Sequence, residues 1–503
     1  GFGDGEICVD GRAFQRRDGE TQSLTGCVKV EENTEYIIAK ITPDDDFGAS
    51  IRSASSDDTY FLLKKYSFYA LFLIGFLMLF RITQVRPFPF ALIILCGGVG
   101  LAAAHAADLF AFRPLAGGND GVTHLGFGRE IMHALAEGRW RDALIGGEST
   151  FYFQPGYRYI RAVELGLFGD RLIGGALWLA GLIGALVVAL RILANARAAF
   201  AFGALLAAPV LLYAAGVRID FFSAFALDFQ RHGQLLAIGF GETTAATLWV
   251  AGVALGLAAH RASRPSSTLP IAAALCVALA CTMRGDSIPA ALLALTALAL
   301  ASYRRDLRGA VAAISAGLAV LALPLAHNVV FGGSPILFTT TAAVSFHVGA
   351  SPALWFAAIG GAPDSGEAGR TILSHVSGQF SSPDRLIAFI AIIAAAIAPR
   401  RWLGPDAARR REIRWLALIA LAALAPNLVY ADRTGLERYA ILGLATGFLA
   451  LVAWAAALWP RAVLMTAAQR LKIQLRGRLA PTPIRVLRPR PGPKRRFVYG
   501  ADR

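Results

Sequence analysis

Charged residues are scarce in this sequence. Asp, Glu, Lys and Arg make up 17% of the 503 residues, whereas 56% are hydrophobic. Soluble globular domains carry about 25% charged residues. The composition therefore excludes an ordinary soluble domain and predicts a polytopic α-helical membrane protein.

Several catalytic and transport motifs are missing as well. The sequence contains no GxxxxGK[ST], which argues against an ATP-driven pump. It contains no HExxH and no Gly-x-Ser-x-Gly, which argues against a zincin protease and an α/β-hydrolase. No internal repeat is apparent, although many secondary transporters are built from two related halves.

Cysteine is rare, and its placement separates two regions. Three of the five cysteines lie in apolar stretches, and only Cys8 and Cys27 lie in the polar residues 1–58. This acidic region, with strand-like CVKV (27–30) and EYIIAKI (35–41), is predicted to be a small external, periplasmic β-rich unit. In an oxidising compartment the two cysteines are predicted to form a disulfide, and the alternative is that both remain free thiols. Exporting the unit requires an upstream span or signal.

Long apolar runs fill the region 59–460, the predicted transmembrane domain. A helix needs about 20 apolar residues to cross the hydrocarbon, and helices or closed barrels alone satisfy their backbone there. About eleven transmembrane helices are predicted, at 66–82, 87–107, 171–190, 198–216, 236–260, 267–283, 287–302, 309–327, 386–399, 415–430 and 440–459.

Arginine-rich loops set the orientation. Short basic loops alternate with the other connections, and the positive-inside rule makes the basic loops cytoplasmic. They lie at 81–86, 191–197, 261–264, 303–308 and 400–414. The largest external loops are then 108–170 and 328–385. The alternative is that residues 1–58 are cytoplasmic and the span 66–82 is wrongly assigned.

The net charge of +15 is concentrated at the C terminus. Residues 461–503 hold twelve Lys or Arg against one acid. A basic segment just after a last span is typical of a cytoplasmic tail lying on anionic membrane lipids. Its placement therefore predicts membrane lipids as partners and no nucleic acid.

The first large external loop has two amphipathic segments. Residues 123–140 carry apolar side chains at helical spacing, and a second such segment follows Pro155 within 146–170. Amphipathic interfacial helices at this position are predicted to roof a cavity at membrane depth. The aromatic cluster 151–159 between them is equally typical of simple interfacial anchors.

Asp120 is the candidate catalytic residue. It follows an apolar run in the stretch GGNDG (117–121), whose glycines permit close approach of a ligand. A carboxylate partly shielded from water suits a general base that removes a proton from a hydroxyl. The alternative is a turn-stabilising aspartate, because Asn-Asp-Gly is ordinary turn chemistry.

Two external arginines are candidate phosphate ligands. Arg284 lies in a tight connection between two spans, and Arg438 opens the last span. Charge at membrane depth usually lines a polar cavity, and arginine binds phosphate through paired hydrogen bonds. The alternative for each is an intramolecular ion pair, Arg284 with Asp286 and Arg438 with Glu437.

The arrangement of these stretches resembles the GT-C superfamily of membrane glycosyltransferases, whose members use polyprenyl-phosphate sugars. The likeness covers about 87–460. It is carried by the stretches GGND (117–120), FYFQPGYRY (151–159), TMRGDSIP (282–289), HNVVFGG (327–333) and ERY (437–439).

The resemblance implies an inverting transfer of a sugar from a polyprenyl-phosphate donor to a glycan or lipid acceptor. Asp120 is the implied general base, and Arg284, Arg438 and Arg158 the implied donor phosphate ligands. Further residues are implied in substrate binding: Glu148, Tyr152, Gln154, His232 and Asp286. No metal is required, although Asp108, Asp120 and Glu148 offer the oxygen ligands that Mg²⁺ or Mn²⁺ prefers.

Two other functions stay open at this point. One is an O-antigen-type polymerase or ligase that uses a polyprenyl-pyrophosphate glycan. The other is a lipid or solute transporter or flippase, in which Glu242 and Asp286 form a charge relay. The excess of arginine over lysine suggests a GC-rich bacterial genome, and hence an inner-membrane protein with its active site on the periplasmic face and its C terminus in the cytoplasm.

Overall fold

The computed structural model describes most of the helical region and part of the N terminus. The chain divides into two compact units, Gly1–Ala457 and Leu458–Arg503. Backbone alone is described for 5–17, 20–29, 35–38 and 48–53. The other described ranges, apart from a few isolated residues, are 119–147, 155–169, 173–195, 239–262, 266–303, 306–335, 365–379, 383–404, 406–430 and 440–458.

Four antiparallel strands occupy the N-terminal region. They are β1 (Gly5–Arg17), β2 (Glu20–Lys29), β3 (Glu35–Ile38) and β4 (Gly48–Ser53), and β1 pairs with each of the other three. The register places Cys8 directly opposite Cys27. Opposed residues of antiparallel strands have Cα atoms about 4.5–5.5 Å apart, which is within the range that a disulfide needs. The disulfide itself stays a prediction.

Three helices follow where the sequence predicts two interfacial ones. They are α1 (Asn119–Ala136), α2 (Trp140–Ile145) and α3 (Pro155–Phe168). The predicted helix 123–140 is therefore wrong at both ends. Its break has a local cause, because Gly138 adopts a positive φ of 73° and the Arg139 N–H returns to the carbonyl of Ala134, as at a glycine-terminated helix end.

The second amphipathic helix starts where proline allows it. Proline is favoured in the first helical turn because its missing N–H has no partner there anyway, and α3 begins at Pro155. Helix α3 packs against α1 and against the apolar helices that follow. The helices α1 to α3 are called the outer helices below.

Apolar helices form the rest of the described chain. In order they are α4 (Ile173–Leu193), α5 (Glu242–Arg261), α6 (Thr268–Met283), α7 (Ile288–Ser302), α8 (Leu307–Gly332), α9 (Ser365–Gln379), α10 (Pro383–Ile397), α11 (Ala407–Tyr430) and α12 (Ile441–Leu458). Among described residues, five segments are long and apolar enough to cross a membrane: Ile173–Leu193, Glu242–Arg261, Gly285–Ser302, Leu307–Gly332 and Ile441–Leu458. The predicted apolar helical architecture is confirmed, and it is consistent with a helical membrane protein. The total of eleven spans stays a prediction, since 66–82 and most of 87–107 and 198–216 lie outside the described residues.

Packing is tightest around α4 and α5. The 18-residue apolar window of α4 is 83% buried within the chain, whereas that of the segment containing α7 is only 28% buried. A helix that is apolar all round belongs in a core or in lipid. Thus α4 is central, and α7 and α8 present leucine and valine side chains outward, including Leu292, Leu318 and Leu323.

The basic ends of several helices meet at one end of the bundle. Arg261, in the last turn of α5, donates to both carboxylate oxygens of Glu412 in the first turns of α11, at 2.8 and 2.5 Å. Its other terminal nitrogen donates to the carbonyl of Ile192 in α4. These contacts bring together three of the helix ends that border the arginine-rich loops, which agrees with the predicted alternation of the spans.

Candidate functional site

The stretch that contains Asp120 forms the start of a helix. Helix α1 begins at Asn119, so Asp120 lies in its first turn. The turn that Asn-Asp-Gly also permits is therefore not formed at 119–121.

The start of α1 touches the start of α5 through two glycines. Gly239 has a φ of 81°, and a Cβ added to it would lie 2.9 Å from the Cα of Gly121. Only glycine fits this contact without a shift of the backbone. The residue that follows Asp120 is thereby held against the turn that leads into Glu242.

Tyr157 of α3 fixes the same turn. Its hydroxyl donates to the carbonyl of Gly239 at 3.2 Å, and its ring meets the ring of His124 edge-on at 4.8 Å. Tyr157 is only 4% exposed. Burial raises the pKa of Tyr157 above its usual value, so the hydroxyl stays protonated and remains a donor.

A charged cluster stands beside this contact. Arg284, between α6 and α7, donates to both oxygens of Asp286 at 3.1 and 2.9 Å and to Glu242 at 3.4 Å. We call Glu242, Arg284 and Asp286 the Arg284 cluster. The intramolecular ion pair left open by the sequence is thus formed, and it includes a second carboxylate 42 positions earlier in the chain. Two carboxylates around one guanidinium hold the cation at a fixed place, and the opposite charges favour the ionised form of each group.

His232 contacts the same region through Thr243, the residue that follows Glu242. Its Nδ1 lies 2.8 Å from the hydroxyl of Thr243, and both residues are buried. Helix α3 closes against α6 at this level, since a Cβ on Gly156 would collide with the side chain of Thr282. The starts of α1, α3 and α5 therefore meet the end of α6.

Arg158 has a different setting. Its guanidinium stacks on the ring of Phe127 at 4.1 Å and donates to the carbonyl of Gly146 at 3.2 Å. It is fully buried, and burial lowers its pKa to about 10, which leaves it charged at neutral pH. These contacts tie α1, α3 and the end of α2 together, and the predicted phosphate role of Arg158 stays a prediction.

The stretch HNVVFGG (327–333) also reaches the outer helices. His327, near the end of α8, lies with its Nε2 3.0 Å from the carbonyl of Ile145 in α2. Its ring is 6.4 Å from the ring of Tyr159 in α3. Gly333 then ends the helix with a φ of 67°. The last turns of α8 therefore support the outer helices.

Several predicted site residues lie outside the described residues: Asp108, Glu148, Tyr152, Gln154 and Arg438. The roles of these five stay predictions. Among the residues that are described, no three His, Cys, Asp or Glu side chains are grouped as metal ligands. Binding of Mg²⁺ or Mn²⁺ by Asp108, Asp120 and Glu148 likewise stays a prediction.

Sequence reasoning missed His124, Gly239 and Thr243 as parts of this site, and it placed Tyr157 only within the aromatic cluster 151–159. Their contacts join residues far apart in sequence, such as Tyr157 and Gly239, and helical periodicity gives no signal for such pairs. One signal was present in part. Gly239 and Gly241 flank an aromatic residue just before an acidic helix start, and isolated glycines at such points often mark close backbone approach.

No protein-family model matches the chain, and neither the curated proteins nor the solved structures contain a significant match to it. The resemblance to the GT-C superfamily therefore rests on the motifs quoted above. Among the described residues, the first turn of α1, which contains Asp120, lies against the turn before Glu242, and Glu242 accepts a hydrogen bond from Arg284.

Proposed function

We propose that this protein is a membrane glycosyltransferase of the GT-C type that moves a sugar from a polyprenyl-phosphate donor to a glycan or lipid acceptor. One observation carries the proposal. The first turn of α1, which contains Asp120, contacts the turn before Glu242, and Glu242 binds Arg284. The candidate base and the candidate phosphate ligand thus belong to one end of the same helix bundle.

The proposed reaction is a single inverting displacement. The carboxylate of Asp120 takes the proton of the acceptor hydroxyl, and the acceptor oxygen attacks the anomeric carbon of the sugar. The bond between that carbon and the phosphate oxygen breaks, and polyprenyl phosphate leaves with the electron pair. Arg284 and Arg438 stabilise the negative charge that develops on the leaving phosphate.

The Arg284 cluster gives Arg284 a second task in this proposal. Asp286 and Glu242 hold the guanidinium in place before the donor binds, so that little reorganisation is needed during the reaction. His232, through Thr243, supports the start of α5 next to Glu242. Glu148, Tyr152 and Gln154 are proposed to contact the sugar or the acceptor.

The proposed setting is a bacterial inner membrane crossed by about eleven helices. The site then faces the periplasm, and the basic segment 461–503 lies on the cytoplasmic leaflet. Arg261 and Glu412 meet at the opposite end of α5 from Glu242. The separation of the two charged regions by the length of one apolar helix supports this arrangement, because basic loops stay on the cytoplasmic side.

A transfer assay with different classes of donor tests the proposal. Purified protein in liposomes is given radiolabelled polyprenyl-monophosphate sugars, a polyprenyl-pyrophosphate glycan and a crude envelope acceptor. We expect label transfer from one monophosphate donor, with polyprenyl phosphate as the second product. Transfer from the pyrophosphate glycan alone contradicts the proposal in favour of a polymerase or ligase.

A third outcome favours the transporter. If labelled lipid crosses the liposome bilayer and no covalent product forms with any donor, the enzyme proposal is refuted. Glu242 and Asp286 are then members of a relay and not supports for Arg284. Scoring transfer and flipping in the same liposomes separates the two functions.

A further inference from the structure

A cavity lies toward the end of the bundle that is opposite to the candidate site. It has a volume of about 420 Å³ and is lined by α5, α6, α7 and α11. On α5 it extends from Gly252 to His260, and on α11 from Ile419 to Arg411. Glu242, in the candidate site, is at the other end of α5. The cavity therefore plays no part in the proposed transfer reaction.

Small residues create the space. Gly252 lets α5 approach α6 closely, because a Cβ there would lie 2.7 Å from Val277. One turn further along α5, a Cβ added to Gly256 would lie no closer than 3.7 Å to Leu298 and Ala273. Alanines line the facing side of α7 at Ala297. Helices α5 and α6 are thus in close contact at Gly252, and more space is left beside Gly256, between α5, α6 and α7.

The shape is that of a short apolar channel with one polar mouth. His260 follows Gly252 by eight positions, and at 1.5 Å per residue the cavity is about 12 Å long. Its walls are mainly aliphatic, and Tyr303 and Trp415 stand near the mouth. Aromatic residues of this kind are typical of the level where lipid headgroups meet hydrocarbon.

One arginine of the lining is exposed at the mouth. Glu412 is already neutralised by the paired hydrogen bonds from Arg261, whereas Arg411 is exposed at the cavity edge. A ligand with an apolar body and one anionic end therefore matches both the aliphatic walls and Arg411.

We propose that the cavity binds an anionic phospholipid from the leaflet at the basic ends of the helices. One acyl chain lies between α5, α7 and α11, and the phosphate lies at Arg411. Charge complementarity selects this occupant, because basic pockets between membrane helices recognise anionic headgroups. A zwitterionic lipid satisfies the apolar walls but leaves the positive charge of Arg411 uncompensated.

The binding experiment uses the full-length protein, delipidated in detergent and titrated with brominated phosphatidylglycerol. Bromine on the acyl chain quenches nearby tryptophan, and Trp415 lines the cavity. The Trp415-dependent signal is the difference between wild type and Trp415→Phe. We expect saturable quenching of this component at a lower lipid concentration than with brominated phosphatidylcholine that has the same chains.

Matched variants test both parts of the site. Ala297→Phe fills the cavity and should abolish the Trp415-dependent quenching, whereas Ala299→Phe on the same helix, outside the lining, should retain it. Gly256→Leu is a second filling variant, since an added Cβ fits there. Arg411→Gln should raise the half-saturating concentration about fivefold, because one arginine near an anionic surface contributes about 1 kcal/mol. Arg400→Gln should not change it.

The outcomes separate the alternatives. Equal quenching by the two lipids refutes the headgroup selection, and persistent quenching in both filling variants refutes the chain site. Glycerol phosphate, added without chains, should not displace the brominated lipid. Displacement by glycerol phosphate alone contradicts the proposal, because it shows an anion site that needs no acyl chain.

Discussion

The Arg284 cluster supports a quantitative prediction about buried charge. The side chains of Glu242, Arg284 and Asp286 are 5%, 13% and 10% exposed. Replacing Arg284 by methionine keeps most of the volume and removes the cation, so that two buried carboxylates lose their compensating charge. Breaking a buried ion pair in this way costs about 3–5 kcal/mol, and we expect Arg284→Met to lower the free energy of unfolding by that amount.

Neutralising the carboxylates should reverse most of the loss. The triple variant Glu242→Gln, Arg284→Met, Asp286→Asn contains no charge in the cluster, and neutral replacement of a buried ion pair is often close to neutral in stability. Equilibrium unfolding in detergent measures all variants, and a double-mutant cycle between Glu242 and Arg284 isolates their coupling, expected at about 1–3 kcal/mol.

The matched control is Arg139→Met. Arg139 pairs with Glu137 and Asp142 at 2.6 and 2.5 Å, but all three side chains are about half exposed. Solvent-exposed ion pairs contribute little to stability, so the control should be nearly silent. A loss below about 1 kcal/mol for Arg284→Met, or a triple variant no more stable than the single one, would refute the view that Arg284 stabilises two buried carboxylates.

Three further predictions concern contacts outside the cluster. Tyr157→Phe should cost about 1–3 kcal/mol in the same unfolding assay, because it leaves the buried carbonyl of Gly239 without this donor; a neutral result would contradict the hydrogen bond. Asp406 accepts the N–H of Ala408 at the start of α11, which lowers the pKa of its carboxyl. The stabilisation by Asp406 should be present above its usual pKa of 3.8 and be lost as the pH falls through the lowered pKa of the folded state. Asp406→Ala, expected to cost about 1 kcal/mol, should remove this loss of stability in acid. Cys8 and Cys27, opposed in β1 and β2, should resist alkylation until a reductant is added, and alkylation of both thiols in unreduced, denatured protein would exclude the disulfide.

The general architecture was predictable because membrane physics leaves few choices. A helix that crosses lipid needs a long apolar run, and eight of the predicted spans coincide with α4, α5, α6, α7, α8, α10, α11 and α12. The arginine-rich loops predicted which helix ends face the same way. Arg261 connects α4, α5 and α11 at such an end, so the arginine-rich loops indicated which helix ends lie close together.

The details of the outer helices were less accessible. The apolar pattern of 123–140 continues through Gly138, and only the backbone shows that this glycine ends α1. The start of α1 at Asn119 also escaped notice, because GGNDG is typical of a turn. Local patterns do not distinguish a turn from the first turn of a helix when Asn and Asp favour both.

The candidate site was predictable in composition but not in pairing. Arg284 and Asp286 are two residues apart, and their ion pair was one of the two readings that the sequence allowed. The second carboxylate, Glu242, and the contact of Gly121 with Gly239 depend on how α1, α5 and α6 are arranged in space. No periodicity encodes that arrangement.

The role of Asp120 tests the proposed function most directly. Sugar transfer is measured at saturating donor for wild type, Asp120→Asn and the control Asp142→Asn, whose side chain is exposed on α2 and bound to Arg139. A general base contributes about 10²–10⁴-fold. The proposal predicts that Asp120→Asn lowers kcat by at least about 100-fold with donor binding retained, and that Asp142→Asn matches wild type. Transfer by Asp120→Asn at the wild-type rate would contradict it.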